Sequence, residues 1–327
     1  MGSASPFKNV LLFGAGGDRI GYHVLNALTK DGSFNVTVLA RDSSSSTYPP
    51  TVQLRKVSDD FPHDELVRAL RGQDVVVSTI GLLAQANEYK LVDAAVEAGV
   101  KRFIPSEWGM DNSDINNQEL CPVFKGKGEM ERYLRSKESE DFSWTALATS
   151  IWLEWALETT FLGIDAKAPY NVGVSGNGRK VDYWRDGTHA FSCTTLEYCG
   201  AALVALLKHP EVGINQRVFL SPFEASQREI IAELESQLNV EFATAHADDK
   251  KIVQGAQTDW KQTKNVFSAY QLVSAGILLP EYKSGFESSG KAPILEHLLE
   301  MPKLTLKGIV AEWIAADKSS SEPMATA

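Results

Sequence analysis

Residues 9–27 of the chain read NVLLFGAGGDRIGYHVLNA, and this stretch restricts the fold more than any other. Val10, Leu11, Leu12 and Phe13 form a short apolar run that stops at a glycine cluster, Gly14, Gly16, Gly17 and Gly21. Apolar residues then return at helical spacing as Ile20, Val24 and Leu28. The pattern spells strand, tight turn, helix. Such a turn aims bare backbone N–H groups and the positive end of a helix at one place, which suits a pyrophosphate. Gly14 and Gly17 take the first two positions of Gly-x-x-Gly-x-x-Gly, and Gly21 arrives one residue late, behind Asp18 and Arg19. The spacing predicts a loop slightly longer than the common form, with Arg19 leaning toward a phosphate.

Downstream, apolar runs at 35–40, 52–57, 74–79, 101–104 and 144–148 alternate with helical patterns at 64–71, 85–98 and 123–136. That alternation predicts parallel βαβ units with right-handed crossovers, an α/β chain with a doubly wound sheet. Ligands of such sheets bind beyond the carboxyl ends of the strands, which here are Gly14, Arg41, Thr79 to Gly81, and Pro105 with Ser106. A polar insert over 110–121 precedes the helix that carries Lys127. From Ile151 the character shifts: Trp152, Trp155, Leu157 and Phe161 form an aromatic, apolar segment able to wall a pocket, with plain core as the alternative.

The remaining pattern predicts a turn-rich link at 173–178, a strand at 181–184, a buried helix at 196–208 and a strand at 217–220. Ser226 and Glu229 fit a capping box opening a helix that runs to Leu238. Helices over 259–278 and 293–316 are expected to cover a second lobe, and the polar residues 317–327 to form a disordered tail. The expected division is 1–150 for the sheet domain and 151–316 for a substrate lobe partly interleaved with the sheet.

Composition narrows the partners. A chain of 327 residues can bury one large α/β core or two smaller ones. Lys and Arg total 32 against 42 Asp and Glu, a net charge of −10 with no basic block, so neither nucleic acid nor an acidic membrane surface is an expected partner. Cys121, Cys193 and Cys199 lack metal-type pairing and read as buried thiols. The opening MGSASPFKNV lacks a signal-peptide apolar core, and Pro6 stands where myristoylation needs Ser or Thr. Apolar stretches such as 201–207 are too short to cross a bilayer, so a reducing cytoplasm is the expected compartment. The histidines are scattered without metal spacing, and no Gly-x-Ser-x-Gly is present.

Two side chains carry the chemistry. Arg41 ends the second strand, where an NAD enzyme usually places Asp or Glu on the ribose; an arginine there clamps a 2′-phosphate bidentately and favours NADP(H). Asp42 facing the ribose instead would reverse that preference, and a surface Arg–Asp pair is the structural alternative. Lys127 falls close to where a nicotinamide ring would sit, able to bond its ribose and, with a lowered pKa, to exchange a proton with substrate. A solvated surface lysine like Lys125 is the plain alternative. Tyr133 and Lys137 have the Tyr-x-x-x-Lys spacing of ordinary short-chain dehydrogenases, but about 9 Å of helical rise separates Tyr133 from Lys127, and the match reads as chance.

The runs STIG (78–81) with Gln85, DAAVEAGVKRFIPSEWG (93–109) and VFKGKGEMERYL (123–134) resemble the NmrA-like and isoflavone-reductase-like atypical short-chain dehydrogenases. The match is good from residue 9 to about 155, diffuse beyond it, and most specific in AGVKRFIPSEWG. It departs from the family pattern at the late Gly21, at Glu131, where many plant members carry arginine, and at Trp108, which replaces the usual phenylalanine. The resemblance implies a Rossmann-type sheet binding NADPH, with a smaller C-terminal lobe closing over a small, often aromatic substrate. It also implies a lysine in place of the Tyr–Lys pair, which alignment on Phe124 puts at Lys127.

Cofactor contacts are then expected from Gly14, Gly16, Gly17, Asp18, Arg19, Ile20, Arg41, Thr79, Ile80, Gly81, Gln85, Ser106, Lys127 and Ser150. Substrate contacts are expected from Trp108, Trp152 and Trp155, and no metal is involved. The expected activity is NADPH-dependent reduction of a small conjugated, carbonyl- or imine-bearing metabolite by a monomer or homodimer. The alternative is a non-catalytic NAD(P)-sensing regulator.

Overall fold

Strands that are apolar on both faces must be covered on both. The fully buried Val10, Leu11 and Leu12 accordingly pair with the fully buried Val75, Val76 and Val77 inside a seven-stranded sheet. The computed structural model of the protein describes residues 7–81, 84–167 and 179–321. In chain order, β1 (Asn9–Phe13), α1 (Ile20–Asp31), β2 (Asn35–Arg41), β3 (Gln53–Val57), α2 (His63–Leu70) and β4 (Val75–Ser78) come first. Then follow α3 (Gln85–Ala98), β5 (Arg102–Ile104), α4 (Ile115–Leu120), α5 (Pro122–Arg135) and β6 (Ser143–Ala148). The middle of the chain supplies β7 (Ile151–Trp152), α6 (Leu153–Glu158), β8 (Ile164–Asp165), β9 (Lys180–Trp184), β10 (Ala190–Thr194), α7 (Leu196–Lys208) and β11 (Gln216–Phe219). The last part holds β12 (Phe223–Ser226), α8 (Gln227–Leu238), β13 (Ala243–Ala247), α9 (Asp249–Thr263), α10 (Val266–Leu278), α11 (Leu295–Leu298) and α12 (Leu306–Ser321).

Two compact units share this chain, interleaved in sequence. The first takes Met1–Thr149, Leu196–Leu220 and Lys291–Met301. Its sheet has the order β11-β6-β5-β4-β1-β2-β3, with every neighbouring pair parallel. This is a Rossmann-type sheet, and the strand order reverses between β1 and β4, the point where doubly wound sheets bind ligands. The leading segment of this unit ends at Thr149, and two later segments return to it. β11 adds the outermost strand beside β6, and Phe219 bridges to Ile294.

The second unit takes Ser150–Thr195, Ser221–Gly290 and Pro302–Ala327. It carries two three-stranded sheets, β12-β10-β7 and β13-β9-β8. The capping box at the start of α8 is present: the Ser226 backbone N–H donates to Glu229 Oε2 at 2.8 Å and the Glu229 N–H to Ser226 Oγ at 3.3 Å. Replacing Ser226 by alanine is expected to lower stability by about 1 kcal/mol, read as a lower denaturation midpoint.

Three sequence expectations need correction. The single helix over 259–278 is two: Lys264, in the left-handed region at φ 57°, ends α9, and Asn265 Oδ1 accepts the Phe267 N–H at 3.0 Å to start α10. The helix over 293–316 is broken into α11 and α12, with Pro302 between them, a residue that lacks an N–H and disfavours a helical predecessor. Its first part, moreover, belongs to the sheet unit. Helix α12 continues to Ser321, into residues expected to form the disordered tail, of which 322–327 lie outside the described residues. The polar insert 110–121 contains α4, capped by Asp114 Oδ1 on the Asn116 N–H at 2.9 Å, and buries Asp111, Asn112, Asn117 and Gln118. The turn expected at 173–178 lies outside the described residues. Among the described residues no helix is long and apolar enough to cross a membrane.

Candidate functional site

The glycine turn is built by close approach of backbone to backbone. Gly14 and Gly17 sit at φ 99° and 94°, where side chains are strained. A Cβ on Gly14 would lie 2.8 Å from the carbonyl carbon and oxygen of Thr79, and one on Gly21 only 2.2 Å from the carbonyl oxygen of Gly14. The late Gly21 therefore does the work of a third fingerprint glycine, letting α1 press onto the turn. Gly17 faces open space within 4 Å. Arg19, the N-cap of α1, provides no side-chain cap, and the first turn holds no acid, so no carboxylate there competes with an anion for the positive helix end. Gly16, Asp18 and Arg19 are exposed, whereas the Ile20 side chain is buried and has only its backbone to offer.

Around this turn stand the tips of the neighbouring strands. Arg41, the exposed last residue of β2, makes no ion pair among the described residues, so the Arg41–Asp42 surface pair is not formed. The loop after it is pinned by Lys56 of β3, whose Nζ donates to Asp42 O at 3.1 Å and Ser44 O at 3.3 Å. Thr79 is tied to β1 twice, by its N–H and its Oγ1 on Phe13 O at 2.8 and 3.1 Å. Ser106 Oγ donates to Ile80 O at 2.8 Å and the Ser106 N–H to Glu88 Oε1 at 2.7 Å. Gly81 is exposed.

The buried polar atoms without a hydrogen-bond partner among the described residues include two from the expected cofactor contacts: Gln85 Nε2 at the start of α3, and Ser150 Oγ, the first residue of the second unit, at φ 51°. Unpaired buried donors are rare in folded proteins, and a ligand is one standard partner for them. The open, uncapped glycine turn, the unpaired Arg41 and the orphan Gln85 donor together fit a phosphate-bearing nucleotide.

Lys127 lies on α5, and its Nζ donates to the backbone carbonyl of Glu107 at 2.7 Å. Burial lowers its pKa below the ordinary lysine range, aided by the nearby Arg217 and opposed by Glu107, Glu88 and Cys121. Burial alone would raise Glu107, but Arg217 and Lys127 outweigh it and hold that carboxyl ionised; Glu88 is pushed up by its burial. Sequence reasoning missed the ionic cluster beside this lysine. Arg217 of β11 donates to Glu107 Oε2 at 2.7 Å and Glu131 Oε2 at 2.6 Å, with its Nε 3.4 Å from Asp111 Oδ1. Lys291 reaches Asp111 and Asp114 at 2.6 and 3.2 Å. Glu107 lay in view inside the specific block 98–109, but nothing in the sequence links it to Arg217.

The Tyr-x-x-x-Lys pair is occupied elsewhere: Tyr133 Oη and Lys137 Nζ both bond Asp93 Oδ1 of α3, at 2.6 and 2.7 Å. Trp108 is 5% exposed and spends its ring N–H on Ser78 O at 2.8 Å, which leaves little ring surface for a substrate. In the second unit, Trp152 and Trp155 sit 6.0 Å apart in an edge-to-face pair, and Phe161 lies 4.9 Å from Trp155. All three are half-buried. Cys121, Cys193 and Cys199 are free and buried.

A model of the NmrA-like family matches residues 6–169. The oxidoreductase aprR of Aspergillus flavus is 35% identical over 240 residues, 73% of this chain and 77% of that protein. A structure of pinoresinol-lariciresinol and phenylcoumaran benzylic ether reductases matches with a TM-score of 0.74 at 23% identity, over 94% of this chain and 99% of the other. The binary complex of leucoanthocyanidin reductase and NADPH from Vitis vinifera gives 0.71 at 16% identity, over 94% and 99%. Both solved structures share the fold described above.

Proposed function

We infer the activity from one premise, that the chain belongs to the NmrA-like family: it is an oxidoreductase, and we propose that it spends NADPH on a small conjugated, carbonyl- or imine-bearing substrate of the aromatic secondary-metabolite kind. The observation that carries this reading is Lys127, a desolvated ammonium held on a neutral carbonyl beyond the end of β5. A pure nucleotide sensor has no use for such a group. We place the protein in the cytoplasm, where its three free thiols stay reduced.

The nicotinamide, when bound, supplies the hydride. The chain supplies position and the proton. Backbone N–H groups from Gly16 to Ile20 meet the pyrophosphate charge, Arg41 takes the 2′-phosphate, and Gln85 Nε2 gains the acceptor it lacks. Thr79, Ile80, Gly81 and Ser106 form the floor beyond β4 and β5. Lys127 Nζ holds a proton that its lowered pKa makes easier to release to the substrate atom that becomes anionic. The ammonium is left neutral and recharges from solvent.

Assay of NADPH oxidation against a panel of enones, imines and phenylpropanoids tests the reading, and complete inertness of the wild type toward that panel would overturn it. Arg41→Ala is expected to weaken NADPH binding by about 10- to 100-fold, the worth of a charge-assisted hydrogen bond, with NADH binding nearly unchanged. Calorimetric titration with both nucleotides reads this, and equal losses would remove Arg41 from the 2′-phosphate.

A further inference from the structure

We propose that Arg217 is a positioning residue for Lys127: its guanidinium draws the Glu107 carboxylate away from the ammonium, so that Lys127 rests on a neutral carbonyl instead of an ion pair. The proposal builds on the reading of Lys127 as the proton donor. Glu107 presents two acceptors to its surroundings. Its carbonyl takes the Lys127 ammonium at 2.7 Å, while its carboxylate takes Arg217 at 2.7 Å and Asn112 Nδ2 at 2.6 Å. Lys127 makes no ion pair among the described residues, although Glu107 and Glu88 both act on it electrostatically. A lysine paired to a carboxylate holds its proton more tightly than one bonded to a carbonyl, because the opposite charge stabilises the ammonium. Which of its two acceptors Glu107 offers to Lys127 therefore decides how readily that proton leaves.

The same guanidinium fixes the helix. Its second arm reaches Glu131 Oε2 at 2.6 Å, and Lys127 and Glu131 are four residues apart on α5 and so share one face. Arg217 thus holds both ends of the Lys127–Glu107 bond, the turn after β5 and the helix one turn beyond the lysine. Its side chain and those of Glu107, Glu131 and Asp111 are all below 10% exposed, at 5%, 2%, 9% and 4%. A buried ionic cluster is a poor way to gain stability, since apolar side chains of like volume commonly serve as well. Placing it against Lys127, whose ammonium rests on the carbonyl of the very residue that Arg217 pairs, points to that lysine.

The groups facing Lys127 are Glu107, Glu88, Arg217 and Cys121, so the test must read the lysine itself. Trace acetylation of the full-length protein across pH, followed by mass spectrometry of the Lys127 peptide, gives its titration midpoint without substrate or cofactor. In Arg217→Met/Glu131→Met, where an apolar pair replaces the ionic one, the midpoint is expected to rise by about one pH unit or more as the freed Glu107 carboxylate turns to the ammonium. Adding Glu107→Gln should bring it back down. Arg217→Lys, a milder change that cannot fork between two carboxylates, should raise it in the same direction and serves if the double variant does not fold. An unmoved midpoint in a folded variant, or a rise that Glu107→Gln fails to reverse, overturns the proposal. Failure of the catalytic reading is separate: it would appear as undiminished turnover in Lys127→Ala, whatever the midpoints.

Discussion

Replacing Lys127 by alanine lowers turnover by about 100- to 10,000-fold, the usual worth of a positioned proton donor, while NADPH affinity changes by less than about threefold. On the proposed reading the two effects separate because the charges of the nucleotide would fall to the glycine turn and Arg41, not to the lysine. The pH profile gives a second reading. Since burial holds the Lys127 pKa below the ordinary lysine range, its proton is lost at a lower pH than that of an exposed lysine. The wild-type rate should accordingly fall as pH rises through that lowered value, and this alkaline limb should vanish from the residual activity of the variant. Turnover and calorimetry at a series of pH values check both statements.

Gly21→Ala is expected to cost about 2–3 kcal/mol of stability and to weaken NADPH binding at least about tenfold. Its new Cβ would lie 2.2 Å from the carbonyl oxygen of Gly14 and 2.9 Å from Thr79 Oγ1. The first of these is backbone at the centre of the turn, so α1 must back away from the sheet, carrying its N-terminal N–H groups with it. Gly17→Ala makes the instructive contrast. Nothing lies within 4 Å of its Cβ, and its cost is the strain of φ 94°, roughly 1–2 kcal/mol, together with obstruction of an open face where a ligand would approach. Denaturant midpoints should rank Gly21→Ala as the more damaging to the fold, with both variants impaired in nucleotide binding. A Gly21→Ala protein as stable as the wild type would mean that the close helix-to-turn packing is absent.

What the sequence disclosed, and what it hid, follows the range of the interactions involved. Strand, turn and helix at 9–27 were legible because apolar period and glycine position are local signals, and the alternation beyond them foretold a parallel sheet. The capping box at Ser226 spans three residues and was equally plain. Gly21 looked displaced in the sequence, yet it fills the packing role of a third glycine, because what matters is which backbone α1 must approach. The stretch 110–121 read only as a polar insert, but Asp111, Asn112 and Asn117 are buried through bonds to Lys291, Glu107 and the Asp111 carbonyl that no local pattern reveals. Arg217 is the clearest case. It is the lone charge on its strand, and its partners Glu107 and Glu131 lie far back in the chain, joined to it only when β11 docks beside β6. The division of 259–278 into two helices likewise depended on a left-handed lysine, a conformation that composition does not announce.

The proposed function requires a phosphate-bearing nicotinamide nucleotide seated on the turn after β1 with the Lys127 ammonium beside its reactive ring. A crystal structure of the protein soaked with NADPH tests this most directly. The predicted result is a pyrophosphate on the N–H groups between Gly16 and Ile20, the 2′-phosphate at Arg41, and Lys127 Nζ within hydrogen-bond reach of the nicotinamide ribose. A nucleotide bound elsewhere, or a lysine that faces away from the ring with the nucleotide in place, would contradict it.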